Sequence, residues 1–171
     1  MRKIILGVAI SLDGFIEGPN GEYDWCFTDQ DYGMEEFLHG IDAIFMGRKS
    51  YDMMKSFEGP VPWKDKKTYV FSKTLQTVPS DVELLQGDLV KTVSALKDGS
   101  GKDIWLFGGA SLTTSFINAG LIDAYWLALH PIILGGGKAL FADVEARKKL
   151  TLISHQAYNT GLISLRYAPA L

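Results

Sequence analysis

The sequence predicts a single α/β domain with a mixed, mainly parallel sheet and antiparallel strands at its C-terminal end. Strand patterns and helical patterns alternate through the first 120 residues, which is typical of βα units on a parallel sheet. Strand patterns then predominate, and this change indicates an antiparallel edge. We expect one domain over residues 1–171, because no repeat, low-complexity tract or linker divides the chain.

The first predicted element is a central strand over residues 4–12, whose unbroken apolar run is typical of burial on both faces of a sheet. Asp13 and Gly14 turn the chain, and Phe15 and Ile16 form a short extension before a loop rich in Gly, Pro and Asn. The basic start and the apolar run also resemble a secretory signal. The run is short and no A-x-A site follows it, so a strand explains it better.

Four segments carry the apolar spacing of helices. The first is followed by Gly40, a common stop signal, and the third places Leu89, Val93 and Leu96 inward. The predicted helices cover residues 31–39, 50–57, 89–97 and 111–119.

The remaining strands are short apolar or β-branched runs bounded by turn residues. The strand after the fourth helix is longer than its neighbours and largely apolar. These strands are predicted over residues 43–46, 68–71, 82–85, 104–107, 125–134, 150–154 and 162–168.

Composition and charge exclude several classes of function. The formal net charge is −3 and no dense Lys/Arg block occurs, so neither nucleic acid nor a membrane surface is an expected partner. No apolar run reaches the roughly 18 residues that a membrane span requires. The one cysteine, Cys26, excludes an intrachain disulfide and fits a cytoplasmic protein. The three histidines lie far apart in sequence and predict no metal site.

Three predicted strand ends carry residues suited to anionic ligands, which bind beyond the carboxyl ends of parallel strands. After the strand over residues 43–46, Gly47 allows close backbone approach, Arg48 can hold a phosphate with two hydrogen bonds, and Lys49 adds charge. A capped helix with solvated charges explains this stretch equally well. Ser72 and Lys73 at the second strand end are a weaker signal, because both residue types are common there.

At the third strand end, Gly108 and Gly109 would let a pyrophosphate approach the N-terminus of the next helix. The two glycines are adjacent, so the segment is not the dinucleotide motif G-x-G-x-x-G. It also lacks the final glycine of G-x-S-x-G, which argues against Ser111 as a nucleophile.

Together these stretches resemble the dihydrofolate reductase-like superfamily over nearly the whole chain. The markers, in order, are Ser11-Leu12-Asp13-Gly14, Met46-Gly47-Arg48-Lys49-Ser50-Tyr51, Phe71-Ser72-Lys73 and Phe107-Gly108-Gly109. Residues 131–141, where three glycines and a lysine follow an apolar run, look like the reductase half of the riboflavin-pathway deaminase-reductase. The chain therefore resembles a stand-alone member of that reductase family.

The resemblance implies a three-layer α/β/α fold with NADPH lying across the strand ends. Arg48 and Lys49 would meet the 2′-phosphate or adjacent phosphates, which favours NADPH over NADH. Ser72 and Lys73 would lie near the adenosine, and the pyrophosphate would bind at the helix start after the third strand end. The implied cofactor residues are Gly47, Arg48, Lys49, Ser50, Ser72, Lys73, Phe107, Gly108, Gly109, Ala110, Ser111 and Leu112.

The implied substrate is a small heterocycle, either a pterin or a ribosylaminopyrimidine such as 5-amino-6-(5-phosphoribosylamino)uracil. Asp13 and Asp31 are the candidate catalytic residues, and Asp31 matches by position the pterin-binding carboxylate of dihydrofolate reductases. Each also has a structural interpretation, Asp13 as a turn residue and Asp31 as a favourable charge at a helix start. The expected substrate contacts are Ala9, Ser11, Trp25, Tyr51, Leu134 and Gly135.

The expected function is reduction of that heterocycle with NADPH. The alternatives are a protein that binds NADPH or a heterocycle without turnover, and a true dihydrofolate reductase. A homodimer is expected, because related reductase domains dimerise and the strand over residues 125–134 would be exposed near the end of the sheet. Residues 131–140 fail the P-loop pattern and are interpreted as a glycine turn, in which Lys138 is either solvated or bound to an anionic substrate.

Overall fold

A computed structural model describes residues 1–57 and 59–170 of the chain. In these residues the strands are β1 (Ile4–Ser11), β2 (Phe15–Glu17), β3 (Ile41–Gly47), β4 (Lys67–Phe71), β5 (Val82–Leu85), β6 (Asp103–Gly108), β7 (Ala124–His130), β8 (Lys138–Ala139), β9 (Leu150–Ala157) and β10 (Ile163–Pro169). The helices are α1 (Met34–Gly40), α2 (Arg48–Lys55), α3 (Leu89–Asp98) and α4 (Ala110–Asn118). Among the described residues, every helix is too short or too polar to cross a membrane.

Eight strands form one sheet in the order β5-β4-β3-β6-β1-β7-β10-β9, and β2 pairs with β8 in a separate ribbon. Along the sheet from β5 to β7 each strand is parallel to the next one, whereas β10 is antiparallel to both β7 and β9. The predicted α/β class, with a mainly parallel sheet and antiparallel C-terminal strands, is confirmed. β1 lies inside the sheet between β6 and β7, as its apolar run predicts.

Helices cover both faces of the sheet, because successive side chains of a strand point to opposite faces. Phe45 of β3 packs in one cluster with Val93 of α3 and the apolar side of α4. Its neighbour Ile44 packs on the other face with Phe37 of α1 and Tyr51 of α2. The layers are therefore α/β/α, as the resemblance implies.

Three helices begin at residues other than those predicted, and α4 differs least, beginning at Ala110 rather than at residue 111. α2 begins at Arg48 rather than at residue 50, so Arg48 and Lys49 belong to its first turn and not to a loop. α1 begins at Met34 rather than at residue 31, because Tyr32 and Gly33 have φ angles of 50° and 87°, outside the helical range.

The strand predicted over residues 125–134 is too long. β7 ends at His130, because Pro131 cannot donate to a ladder and the following glycine turn contains Gly135 and Gly137 at φ angles of 74° and 126°. The short strand β8 then pairs with β2 in a contact that the sequence pattern does not predict. β7 is paired with β1 on one side and with β10 on the other, so it is not the exposed strand that was expected to favour a homodimer.

The C-terminal edge of the sheet is instead formed by β9. All eight of its residues are exposed, and among the residues that the structure describes no strand pairs with the edge of β9 that faces away from β10. Leu150, Leu152 and Ile153 are apolar residues of this strand that remain in contact with solvent.

Candidate functional site

A cleft of about 1310 Å³ opens at the carboxyl ends of the parallel strands. Residues 47–50, 72–74, 85–89 and 109–112, which follow β3, β4, β5 and β6, line its basic half. The aromatic half is lined by residues of β1 and β7, by residues among 16–34, and by Lys138. Open α/β sheets bind ligands at this edge, so the cleft is the candidate site.

Two helices direct their N-termini at the basic half. The N-caps of α2 and α4 are Gly47 and Gly109, and neither helix has a side-chain cap or an acidic residue in its first turn. The first N–H groups of a helix lack intrahelical partners and attract anions. The Ser50 hydroxyl accepts a hydrogen bond of 2.9 Å from the Gly109 N–H, which joins the two helix starts. One anionic ligand can therefore contact the N-termini of both helices.

The start of α3 differs from those of α2 and α4. Its N-cap Asp88 accepts a hydrogen bond of 2.7 Å from the Lys91 N–H. This helix end is closed by the chain's own carboxylate. Helix N-termini without a side-chain cap therefore follow β3 and β6, whereas the helix N-terminus after β5 is capped.

Three cationic side chains, Arg48, Lys49 and Lys73, line the basic half. Arg48 Nε donates to the Asp52 carboxylate at 2.5 Å, one turn further along α2. Lys55 pairs with the same carboxylate at 2.9 Å, and the hydrogen bonds from Lys55 and Arg48 lower the pKa of Asp52. Asp52 thus orients the Arg48 guanidinium at the wall of the cleft.

Glycines are needed where the backbone segments of the basic half approach each other. A Cβ on Gly109 would lie 3.2 Å from Ser50 Oγ, and one on Gly47 would lie 3.5 Å from the Gly108 carbonyl oxygen. Gly108 has a φ angle of 107°, and the buried Thr113 Oγ1 beside it has no hydrogen-bond partner in the described residues. The close backbone approach and the open N–H groups fit the phosphates of a dinucleotide.

Rings form much of the aromatic half. The Phe27 ring centroid lies 5.1 Å from that of His130 and 6.3 Å from that of Tyr32. Tyr23 meets Phe57, which follows α2, edge-on at 6.2 Å. The segment between β2 and α1 therefore reaches across the cleft to its other wall.

His130 is a site residue that the sequence patterns did not single out. It is 2% exposed, its Nδ1 lies 2.9 Å from the Ala128 carbonyl, and its Nε2 accepts the Phe27 N–H at 3.1 Å. These contacts require the proton on Nδ1, and burial lowers the pKa of His130, so the ring is neutral near pH 7. The sequence signal that could have identified His130 is its position at the end of a buried strand. Its distance in sequence from the other histidines drew attention away from it, because that spacing predicts no metal site.

Asp13 is bound to the loop after β7. Its carboxylate accepts the Ser11 hydroxyl at 2.7 Å and the N–H groups of Leu134 and Gly135 at 3.1 and 2.8 Å. These hydrogen bonds, that of Ser11 first, lower the pKa of Asp13. None of these four residues is part of the cleft lining, so the geometry favours the turn interpretation. A substrate role for Asp13 stays a prediction.

Asp31 lines the aromatic half, but its carboxylate is engaged with the backbone. Its two oxygens accept the N–H groups of Gly33 and Glu35 at 3.0 and 2.9 Å. Asp31 therefore stabilises the start of α1, in line with its structural interpretation.

The cleft brings together most of the predicted site residues. Those that line it are Ala9, Asp31, Gly47, Arg48, Lys49, Ser50, Ser72, Lys73, Phe107, Gly109, Ala110, Ser111 and Leu112. Those outside the lining are Ser11, Asp13, Trp25, Tyr51, Gly108, Leu134 and Gly135. Tyr51 is buried in the core between α2 and the sheet, and Trp25 packs edge-on against His130 at 5.2 Å.

Known proteins resemble this chain in sequence and in overall structure. The family model of the RibD C-terminal domain matches residues 2–164. The uncharacterized protein YyaP of Bacillus subtilis is 44% identical over 177 residues, which cover 97% of this chain and 94% of YyaP. The crystal structure of a Shewanella sp. PV-4 protein that is provisionally assigned to riboflavin biosynthesis is similar to this one, at a TM-score of 0.89. The two sequences are 29% identical, and the match covers 100% of both chains.

The structure of Enterococcus faecalis dihydrofolate reductase, solved with NADP(H), is similar at a TM-score of 0.70. Its sequence identity is 15%, and the match covers 98% of this chain and 96% of that one. The predicted dihydrofolate reductase-like fold is therefore confirmed.

Proposed function

The chain belongs to the family of the RibD C-terminal domain, and on this premise we propose that it is an NADPH-dependent oxidoreductase that reduces a small heterocycle. The observation that carries the proposal is the pair of uncapped helix starts, α2 and α4, beside Arg48, Lys49 and Lys73. Open N–H groups and three cations in one cleft suit a ligand with several phosphates. The dihydrofolate reductase of the same fold was solved with such a ligand, NADP(H).

In this proposal each part of the basic half has a role. Arg48 and Lys49 bind the 2′-phosphate, and the N–H groups at the start of α4 bind the pyrophosphate. Ser72 and Lys73 lie near the adenosine. NADPH supplies a hydride when it is bound, while the chain orients the heterocycle in the aromatic half and excludes water with the segment between β2 and α1.

Binding without turnover is the second candidate. Two observations favour it over a true dihydrofolate reductase. The Asp31 carboxylate already accepts two backbone N–H groups, and Asp13 is bound to the loop after β7. A pterin would then find neither carboxylate available for its ring nitrogens.

NADPH binding to purified protein tests the proposal. Trp63, Trp105 and Trp126 line the cleft, so we expect NADPH to quench tryptophan fluorescence. Arg48→Ala should weaken NADPH binding by about tenfold or more, because a charge-assisted contact to phosphate is lost, and should weaken NADH binding less. Oxidation of NADPH is then followed by absorbance across a panel of pterins and aminopyrimidines.

Lys55→Ala is the matched control. Lys55 lies on the same helix and pairs with the same Asp52, but it does not line the cleft. Its removal should leave NADPH binding unchanged. Absence of NADPH binding at millimolar concentration contradicts the proposal. Binding without oxidation by any substrate of the panel favours the second candidate.

A further inference from the structure

The charged residues that line the cleft are divided between its halves. The cations of the basic half are Arg48, Lys49 and Lys73, and the acid lining that half, Asp88, is bound to the start of α3. In the part of the chain that the structure describes, the aromatic half is lined by the acids Glu17 and Asp31 and by the single cation Lys138.

Lys138 is compensated by a neighbouring carboxylate. Its Nζ lies 4.0 Å from Glu17 Oε1, and the two residues are directly opposite each other in the β2–β8 ribbon. Arg166 is also close to this half, but its guanidinium stacks on the Trp126 ring at 5.3 Å and does not line the cleft. Because Glu17 and Lys138 compensate each other, the Asp31 carboxylate gives the lining of the aromatic half a net negative charge.

The helix beside the aromatic half offers no anion site either. The seven-residue α1 carries Glu35 and Glu36 in its first turn. The Asp31 carboxylate already accepts the N–H groups of Gly33 and Glu35 at the start of this helix. A phosphate placed here would lose water without gaining the charge-assisted hydrogen bonds that stabilise it elsewhere.

Flat aromatic surfaces are what this half provides. Phe27, Tyr32, Trp126 and His130 line it, and the Phe27 and His130 rings lie 5.1 Å apart. Such rings stack on planar heterocycles, and their negative faces also attract cations. The basic half and the aromatic half therefore differ in the charge that they select.

From these charges, and resting on the proposed function, we infer that the substrate is a planar heterocycle without a phosphate group, either neutral or positively charged. The resemblance to the riboflavin-pathway reductase instead implies a phosphoribosylamino compound. The two expectations differ by one chemical group, so matched pairs of compounds separate them.

The experiment measures binding of heterocycle pairs that differ only in one phosphate, with saturating NADP⁺ present. The pairs are 5-amino-6-ribosylaminouracil and its 5′-phosphate, neopterin and its monophosphate, and riboflavin and its 5′-phosphate. We expect the unphosphorylated member of each binding pair to bind about tenfold tighter or more, by calorimetry. Equal or tighter binding of a phosphorylated member overturns the inference. So does the absence of any unphosphorylated ligand with a Kd below about 1 mM.

A charge variant tests the cause of the preference. Glu17→Gln removes the partner of Lys138, so the ratio of the two affinities should shift several-fold toward the phosphorylated member. Glu17→Gln combined with Lys138→Gln should return the ratio to the wild-type value. An unchanged ratio in Glu17→Gln overturns the assignment of the preference to these charges, and circular dichroism checks that both variants fold.

Failure of the inference is separable from failure of the proposed function. NADPH binding is titrated without any heterocycle, and its absence contradicts the reductase proposal. The phosphate pairs are then compared without NADP⁺, so the inference keeps a test of its own. The phosphate preference is determined from binding and does not require turnover.

Discussion

Asp13 connects two strand ends through hydrogen bonds rather than facing the cleft. Ser11, Leu134 and Gly135 all donate to its carboxylate. These donors hold the glycine turn after β7 against the end of β1. The residue that the sequence marks as a candidate for catalysis therefore has an observed structural role, and a variant distinguishes the two.

Asp13→Asn should release the turn, because an amide cannot accept all three hydrogen bonds. We expect amide exchange at Leu134 and Gly135 to become faster by roughly tenfold or more, as measured by hydrogen exchange with NMR detection. Asp98→Asn, at the exposed end of α3, is the control and should change neither amide. Unchanged exchange together with lost turnover would instead support contact between Asp13 and the substrate.

His130 should make stability depend on pH. Burial lowers its pKa below the ordinary 6.5, so the folded protein keeps it neutral where the unfolded chain protonates it. Its contribution to stability is complete above pH 6.5 and declines as the pH falls from that value toward the lower folded pKa. Urea denaturation of the wild type at about pH 7.5 and about pH 5.5, which bracket the titration, should give a lower free energy of unfolding at the lower pH.

His130→Gln should reduce this pH dependence and lower the free energy of unfolding at neutral pH by about 1–3 kcal/mol, because a glutamine that accepts the Phe27 N–H cannot also donate to the Ala128 carbonyl as Nδ1 does. His155→Gln is the matched control, since His155 is exposed on β9. It should leave the neutral-pH stability close to that of the wild type. An equal pH dependence in the wild type and His130→Gln would contradict the assignment.

At the scale of elements, the sequence predicts most strands and helices because their signals are local. β5 has the bounds that were predicted for it, and α3 differs from the prediction by one residue at its end. The element bounds that were predicted wrongly depend on contacts between residues that are distant in sequence. β8 exists because Lys138 and Ala139 meet β2, and no periodicity in two residues could indicate that pairing.

The candidate site divides in the same way. The basic half follows from residues at strand ends, which the sequence displays in order. The aromatic half is assembled by tertiary contacts, so Phe27 approaches His130 across 103 positions of sequence. Tyr51 illustrates the reverse error, because it belongs to a conspicuous motif yet its position on α2 points it into the core.

β9 is the element through which we propose that the chain dimerises. Its free edge and its exposed apolar residues leave main-chain groups and apolar surface available to a second copy, paired edge to edge about a twofold axis. Ile153→Lys should convert the dimer to a monomer in light scattering at micromolar concentration. Val90→Lys changes an exposed apolar residue of α3 in the same way and should leave the dimer intact. A monomeric wild type would contradict the proposal.

For the whole molecule, the order of strands in the sheet arranges the charges of the cleft. β4 and β3 bring Lys73, Arg48 and Lys49 to one half, while β1 and β7 bring apolar and aromatic residues to the other. The two halves meet where β6 lies beside β1. A cofactor with several phosphates and an uncharged heterocycle would therefore approach each other over the middle of the sheet.

β1 is synthesised well before the two strands with which it pairs. Its partners are β6, from Asp103, and β7, from Ala124, in the registers Ile4–Ile104 and Ile5–Ala124. At translation rates of about 5–20 residues per second, this apolar strand waits on the order of 5–25 s for its neighbours to be made. During that interval its main-chain groups are open to other nascent chains. From the placement of β1 inside the sheet we therefore expect production of the protein to depend on translation speed and on chaperones that cover apolar segments.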